Sequence, residues 1–273
     1  MAPMLLETPD TEPVVAKNVP VCSDPNVVVS EGASRSNKEL WWLHGHPHSK
    51  RYSDPKLNSL SALVRYNGAV YGEQKAFLYP LAAEFSTAYG VMTWEEFNRT
   101  TGSIALWYAE ELKAELEIAN VRKEQPTIAL LGGGRTLEYF CTQLALQKLG
   151  IRVLLLAESN ALSSLHHLLQ TCHTLAVVTD SKNSSIDTNN IRKIDMIETL
   201  AATPTMQYSE LDAVKFRDYD DVWEQHSFII HSSGSTGMPK PIIHTNRSMM
   251  LIARMYRTFQ EFEVHNWFLL FPL

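Results

Sequence analysis

The sequence predicts an α/β fold, a layered parallel sheet covered by helices. Three observations carry that expectation: β-type apolar runs alternate with amphipathic helical stretches between Thr127 and Thr179, glycines fall at the junctions, and 45% of the residues are hydrophobic, enough for a buried core. Residues 1–38 are rich in Pro, Ser, Asn and acidic residues without a sustained period, so they read as a flexible leader to a domain over residues 39–273. Apolar density rises from Leu60. Met92-Thr93-Trp94-Glu95-Glu96-Phe97 then supplies a Thr-x-x-Glu capping box, which opens a helix with Phe97, Ile104, Tyr108 and Leu112 on one face.

The alternation follows. Thr127–Leu131 reads as a buried strand, Gly132–Gly134 as a turn, and Leu137, Phe140, Cys141 and Leu144 recur at helical spacing. Gly150 suits the position just past that helix, where a left-handed backbone is needed. Arg152–Leu156 predicts a second strand, Ser159–Thr171 a helix carrying Leu162, Leu165 and Leu169, and Leu175–Thr179 a third strand. Residues Asp180–Asn190 are polar and read as an exposed loop. Ser227–His231 predicts a short strand, Pro241–His244 another extended run, and Thr245–Phe259 a helix.

Composition narrows the function classes. A formal charge of −6 offers no basic excess to neutralise a phosphate backbone, so nucleic acid is not an expected partner. Cys22, Cys141 and Cys172 are far apart and form no C-x-x-C pair, which argues against a disulfide framework or a zinc knuckle. The first twenty residues hold no apolar core of signal-peptide type, and no run approaches the roughly 20 apolar residues of a membrane span. A cytoplasmic protein with no membrane partner is expected.

The chemistry concentrates in Ser232-Ser233-Gly234-Ser235-Thr236-Gly237-Met238-Pro239-Lys240, between two apolar strands. Glycines let a backbone approach a ligand, hydroxyls and amides donate hydrogen bonds, and the lysine adds a mobile point charge, a set that suits a polyphosphate. It is not a Walker A loop. There the lysine leads into a helix, whereas here Lys240 is followed by Pro241 and a strand.

The segment closely resembles the phosphate loop of adenylate-forming (AMP-binding) enzymes, the family of acyl-CoA synthetases, luciferases and nonribosomal peptide synthetase adenylation domains. Its pattern is written [ST]-S-G-[ST]-T-G-x-P-K-G, and only Pro241 departs, standing where glycine is usual. Thr93–Glu96 is similar to the family's T-[YW]-x-E helix opening, so the likeness runs from about Leu60 to the end of the chain. The resemblance implies the N-terminal portion of an acetyl-CoA-synthetase-like large domain, truncated. It implies ATP and Mg²⁺, a small carboxylic acid substrate, and CoA or a phosphopantetheine thiol, on an acyl-carrier domain for example, as acyl acceptor. By the same resemblance Ser232, Ser233, Ser235 and Thr236 would donate to the β- and γ-phosphates, Gly234 and Gly237 would keep the backbone open, and Lys240 would hold the departing pyrophosphate. The Lys-Pro variant at Lys240-Pro241 is similar to fungal adenylate-forming reductases and related synthetase-like proteins.

The family's adenine-binding aromatic motif, ribose-binding aspartate and C-terminal catalytic lysine lie beyond the phosphate loop. The chain is therefore expected to be a fragment, a mis-ended gene or a decayed copy of a longer enzyme, inactive by itself, with no catalytic and no metal-ligating residue assigned in it. The alternative is a non-catalytic nucleotide-binding or interaction remnant of the same fold.

Other candidates have simpler readings. His44-x-His46-x-His48 has the alternation of a chelating strand, but no carboxylate or cysteine cluster stands near it, and a solvated loop is the plainer reading. Gly132–Gly134 fails the dinucleotide-binding spacing because Leu137 holds the third glycine's place, leaving a tight strand-to-helix turn. His166, His167 and His173 fall on or near a helix and read as surface or satisfied residues. His231 and His244 flank the loop and stay candidates for lining a nucleotide or acyl pocket. Cys141 and Cys172 read as core, and no nucleophile elbow is present.

Overall fold

The computed structural model describes residues 57–80, 89–134, 136–197, 222–232 and 237–258. The leader (1–38), the His44–His48 alternation and Ser233–Thr236 lie outside the described residues.

Helix α1 (Leu60–Val70) is capped by Ser59, whose hydroxyl accepts from the Ala62 amide at 3.1 Å. An antiparallel hairpin follows, β1 (Lys75–Pro80) and β2 (Tyr89–Thr93). Thr93 ends β2 and caps α2 (Trp94–Glu111): the Glu96 amide donates to its hydroxyl at 3.2 Å while its own amide donates to the Glu96 carboxylate at 2.8 Å. Both donors that a helix start leaves orphaned are thus satisfied reciprocally. Phe97, Ile104, Tyr108 and Leu112 are all buried, as their spacing predicts. The hairpin is held by aromatic packing, with Phe77 against Phe97 at 4.7 Å and Phe140 at 5.5 Å between ring centroids. Helix α3 (Lys113–Arg122) follows and ends at Lys123 in the left-handed region.

The remaining strands form one six-stranded sheet: β3 (Thr127–Leu131), β4 (Arg152–Leu156), β5 (Ala176–Thr179), β6 (Arg192–Asp195), β7 (His226–His231) and β8 (Pro241–Thr245), in the order β6-β5-β3-β4-β7-β8. All neighbours are parallel except β7 and β8. Strands buried on both faces need continuous apolar runs, and Thr-Ile-Ala-Leu-Leu and Val-Leu-Leu-Leu meet that need. The two-residue period divides their side chains. Ile128, Leu130, Val153 and Leu155 pack with α2 and with α4 (Leu137–Lys148), while Ala129, Leu131, Leu154 and Leu156 pack with α5 (Leu162–Thr171). Gly150, with φ 72°, closes α4 in the left-handed conformation that its position predicts.

Two details of α5 differ from the sequence reading. The helix begins at Leu162, not at Ser159, and Leu162 is 48% exposed, with Leu168 joining Leu165 and Leu169 in the core instead. The stretch Asp180–Asn190 is also only partly an exposed loop. It contains a short 3-10 turn at Ser181–Asn183, and Asp180, Asn183 and Thr188 are buried because hydrogen bonds satisfy them.

After β8 comes α6 (Asn246–Thr258). Its start is pinned to a second 3-10 turn, Val222–Glu224, by the Asn246 side-chain amide donating to the Val222 carbonyl at 2.9 Å.

Candidate functional site

Because β3, β4, β5 and β7 run parallel, the segments that leave their carboxyl ends gather along one edge of the sheet. In open parallel sheets, ligand crevices form outside that edge where the strand order reverses. Here the chain leaves β3 for β4 on one side and then crosses to β5 on the other, so the reversal lies between β3 and β5.

That place is filled by the protein's own anion. The Gly133 amide donates to the Asp180 carboxylate at 3.0 Å, and a Cβ added to Gly132 would stand 3.0 Å from the same oxygen. The other Asp180 oxygen accepts from the Asn183 amide at 3.0 Å and its side-chain nitrogen at 2.7 Å, and that nitrogen also donates to Glu158 at 2.8 Å. An incoming phosphate between β3 and β5 would meet a carboxylate already holding the donors. Gly132–Gly134 is therefore a tight turn, and Gly132 is glycine because Asp180 occupies the space of a side chain.

The loop between β7 and β8 is differently made. Its two ends are joined by the Ser232 amide donating to the Lys240 carbonyl at 3.1 Å and by the Lys240 amide donating to the Ser232 hydroxyl oxygen at 3.2 Å. This continues the antiparallel ladder one step past the pair His231 and Pro241. Pro241 opens β8, an edge strand, where a missing N–H is tolerated. Pro239 is buried, whereas Gly237, Met238 and Lys240 are exposed, and a Cβ on Gly237 would meet no described atom within 4 Å. Lys240 makes no salt bridge among the described residues.

The two flanking histidines part company. His244 lies on β8 opposite Phe228, four positions from the loop end at Lys240, or about 13 Å at strand rise, and stacks on that ring at 4.9 Å. His231 stays at the loop mouth, with Nε2 3.1 Å from the Asn160 side-chain nitrogen. His166 packs against Asp187 on the surface, and His173 closes α5 with φ 50°. Cys141 and Cys172 are buried, and burial pushes both thiols up from their ordinary pKa, as inert core cysteines require.

The described loop residues present a hydroxyl, amides and an ammonium but no carboxylate. Among the described residues no group of three or more His, Cys, Asp or Glu could hold a metal ion. The sequence reading missed Asn160, Asp180 and Asn183. Their signal was available: each is polar and follows closely on a buried apolar strand, at the carboxyl edge where ligands and loops meet.

A mostly parallel sheet with helices on both faces and a Gly/Ser-rich loop between two of its strands defines a layered α/β domain. The profile of the AMP-binding enzyme family matches residues 68–272, three quarters of the chain, so the chain belongs to that family. No curated protein sequence is significantly similar to it. Among solved structures it is similar to a fatty acyl-adenylate ligase from L. pneumophila, determined with acyl adenylate and pyrophosphate (16% identity, TM-score 0.53, 79% of this chain and 34% of that one). It is also similar to a long-chain-fatty-acid-CoA ligase from Archaeoglobus fulgidus (16%, 0.53, 75% and 40%) and to the NpsA N-terminal subdomain of Klebsiella oxytoca (15%, 0.52, 71% and 44%). These likenesses establish the fold, and the chain spans between a third and a half of these relatives. No helix among the described residues is long and apolar enough to cross a membrane.

Proposed function

We propose that this chain supplies the phosphate-gripping part of an ATP-dependent enzyme that activates a carboxylic acid. In the whole reaction a carboxylate oxygen attacks the α-phosphorus of ATP, the bond to the bridging oxygen of the β-phosphate breaks, and acyl-adenylate and pyrophosphate result. A thiol, of CoA or of phosphopantetheine on a carrier domain, then takes the acyl group and releases AMP. The observation that carries this reading is the loop Ser232–Lys240, clamped at its base by two hydrogen bonds and open along Gly237.

Each residue would act through charge and position. The hydroxyls of Ser232, Ser233, Ser235 and Thr236 would donate to the β- and γ-phosphates, with Gly234 and Gly237 letting the backbone amides approach. The Lys240 ammonium would face the charge that grows on the departing pyrophosphate. Donors fixed where charge develops stabilise it without reorganising at the moment of reaction. Mg²⁺, when present with ATP, would supply positive charge that neutralises the phosphates held by the loop. On this reading residues 39–273 belong to one adenylation domain that binds ATP.

The test is Mg·ATP binding by the full chain, followed by calorimetry, beside Lys240→Ala. Loss of a charged hydrogen-bond partner of phosphate costs about 1.5–3 kcal/mol, or roughly ten- to a hundredfold in Kd. Equal affinity of the two proteins would leave the loop a structural remnant, and pyrophosphate exchange by the chain alone would show that it carries the whole reaction.

A further inference from the structure

We propose that His231 and Asn160 form a positioning pair that fixes the mouth of the β7–β8 loop and thereby sets its affinity for a triphosphate; the second half of this rests on the phosphate-binding reading above. The register places the two residues together. Val153 pairs with Phe228 and Leu154 with Ile229, and the same offset sets Leu156 level with His231. The turn after β4, closed by the Asn160 amide donating to the Ala157 carbonyl at 3.1 Å, then carries Asn160 over the strand end, where its side chain meets Nε2 of His231 at 3.1 Å.

The hydrogen bonds select one form of the ring. An amide nitrogen only donates, so Nε2 must accept, which puts the ring proton on Nδ1. Nδ1 lies 3.4 Å from the carbonyl oxygen of Ser232, which needs a donor and would repel a lone pair. The reversed amide would demand the proton on Nε2 and set that lone pair against the carbonyl. Both contacts therefore agree on the Nδ1–H tautomer. Ser232 in turn is bonded to Lys240 at both its amide and its hydroxyl oxygen. A continuous path thus runs from the β4 turn through His231 to the backbone of Lys240.

The Asn160 amide adds no charge beside a loop meant for an anion. An aspartate at position 160 offers only acceptors, so it cannot donate to Nε2 of that tautomer, and it would add a negative charge near the triphosphate.

The experiment uses the full chain with Asn160→Leu, His231→Phe, the double variant and Asn160→Asp, measuring amide exchange across 231–241 and Kd for Mg·ATP. Loss of the tether is expected to speed exchange at Ser232 and Lys240 about tenfold by local opening, equally in both single variants and no further in the double. The same variants are expected to weaken Mg·ATP by about fivefold. Asn160→Asp, of nearly the same shape but with no donor for Nε2, is expected to lose both the exchange protection and the affinity. Unchanged exchange in His231→Phe and Asn160→Leu overturns the pair, as does additivity of the two substitutions. Faster exchange in the variants of a parent chain that does not bind Mg·ATP supports the tether and overturns the triphosphate reading.

Discussion

Replacing Asp180 by alanine tests the claim that the crevice between β3 and β5 is closed by the protein's own carboxylate. The substitution removes the acceptor of three hydrogen bonds, from the Gly133 amide at 3.0 Å, the Asn183 amide at 3.0 Å and the Asn183 side chain at 2.7 Å. Asp180 is only 7% exposed, so water does not readily replace it. Hydrogen bonds to a charged group contribute about 1.5–3 kcal/mol each, but the three share one carboxylate and are not additive, and Asn183 retains Glu158. A net loss of about 3 kcal/mol is expected. For a domain of this size that lowers Tm by roughly 6–12 °C. Urea denaturation should show the midpoint falling with m unchanged, since the surface exposed on unfolding is the same. A loss below about 0.5 kcal/mol, the range of ordinary surface substitutions, would refute the reasoning and reopen the crevice as a candidate anion site.

Further predictions follow from other buried groups. Lys148 donates to the Asn98 carbonyl and side chain at 3.1 and 2.8 Å with no carboxylate partner among the described residues, and burial, with Arg65 nearby, holds its pKa at about 7 instead of 10.5. The folded state therefore binds fewer protons than the unfolded one between those values, and stability gains up to about 1.4 kcal/mol per pH unit as pH rises through that window. Lys148→Met should flatten that rise in denaturation curves taken from pH 7 to 10. His226 accepts from Arg152 at Nδ1, 2.9 Å away, and burial together with that guanidinium lowers its pKa below 6.5. Its contribution is present above pH 6.5 and lost as pH falls below it, so His226→Gln should show a weaker acid loss of Tm than the parent. Phe97→Ala, deep in the aromatic cluster, is expected to cost about 3–5 kcal/mol in urea denaturation and to raise protease cleavage in the β1–β2 hairpin. Leu168→Ala should cost about 2–5 kcal/mol by the same assay, and Leu162→Ala, on the exposed side of that helix, under about 0.5.

What the sequence determined by itself was the local part. Thr127–Leu131 and Arg152–Leu156 are strands over the ranges their apolar runs predict, Thr93 and Glu96 form the reciprocal cap, and Gly150 takes the left-handed position. Capping, periodicity and left-handed backbone are settled within a few residues, so they are written in adjacent letters. The loop Ser232–Lys240 was legible for the same reason, as a contiguous chemical pattern. The hairpin β1–β2 was not, because its strands are fixed by Phe77 packing on the distant Phe97 and Phe140, and its linking segment carries no short turn signature. Nor was β6, whose Arg-Lys-Ile-Asp lacks an apolar run and is a strand through pairing with β5. Only the tertiary structure decided which of two flanking histidines faces the loop, that Asn160 meets it from 71 residues away, and that Asp180 closes the turn at Gly132. Those contacts depend on strand order and register, which join residues far apart in the chain and leave no periodic trace in it.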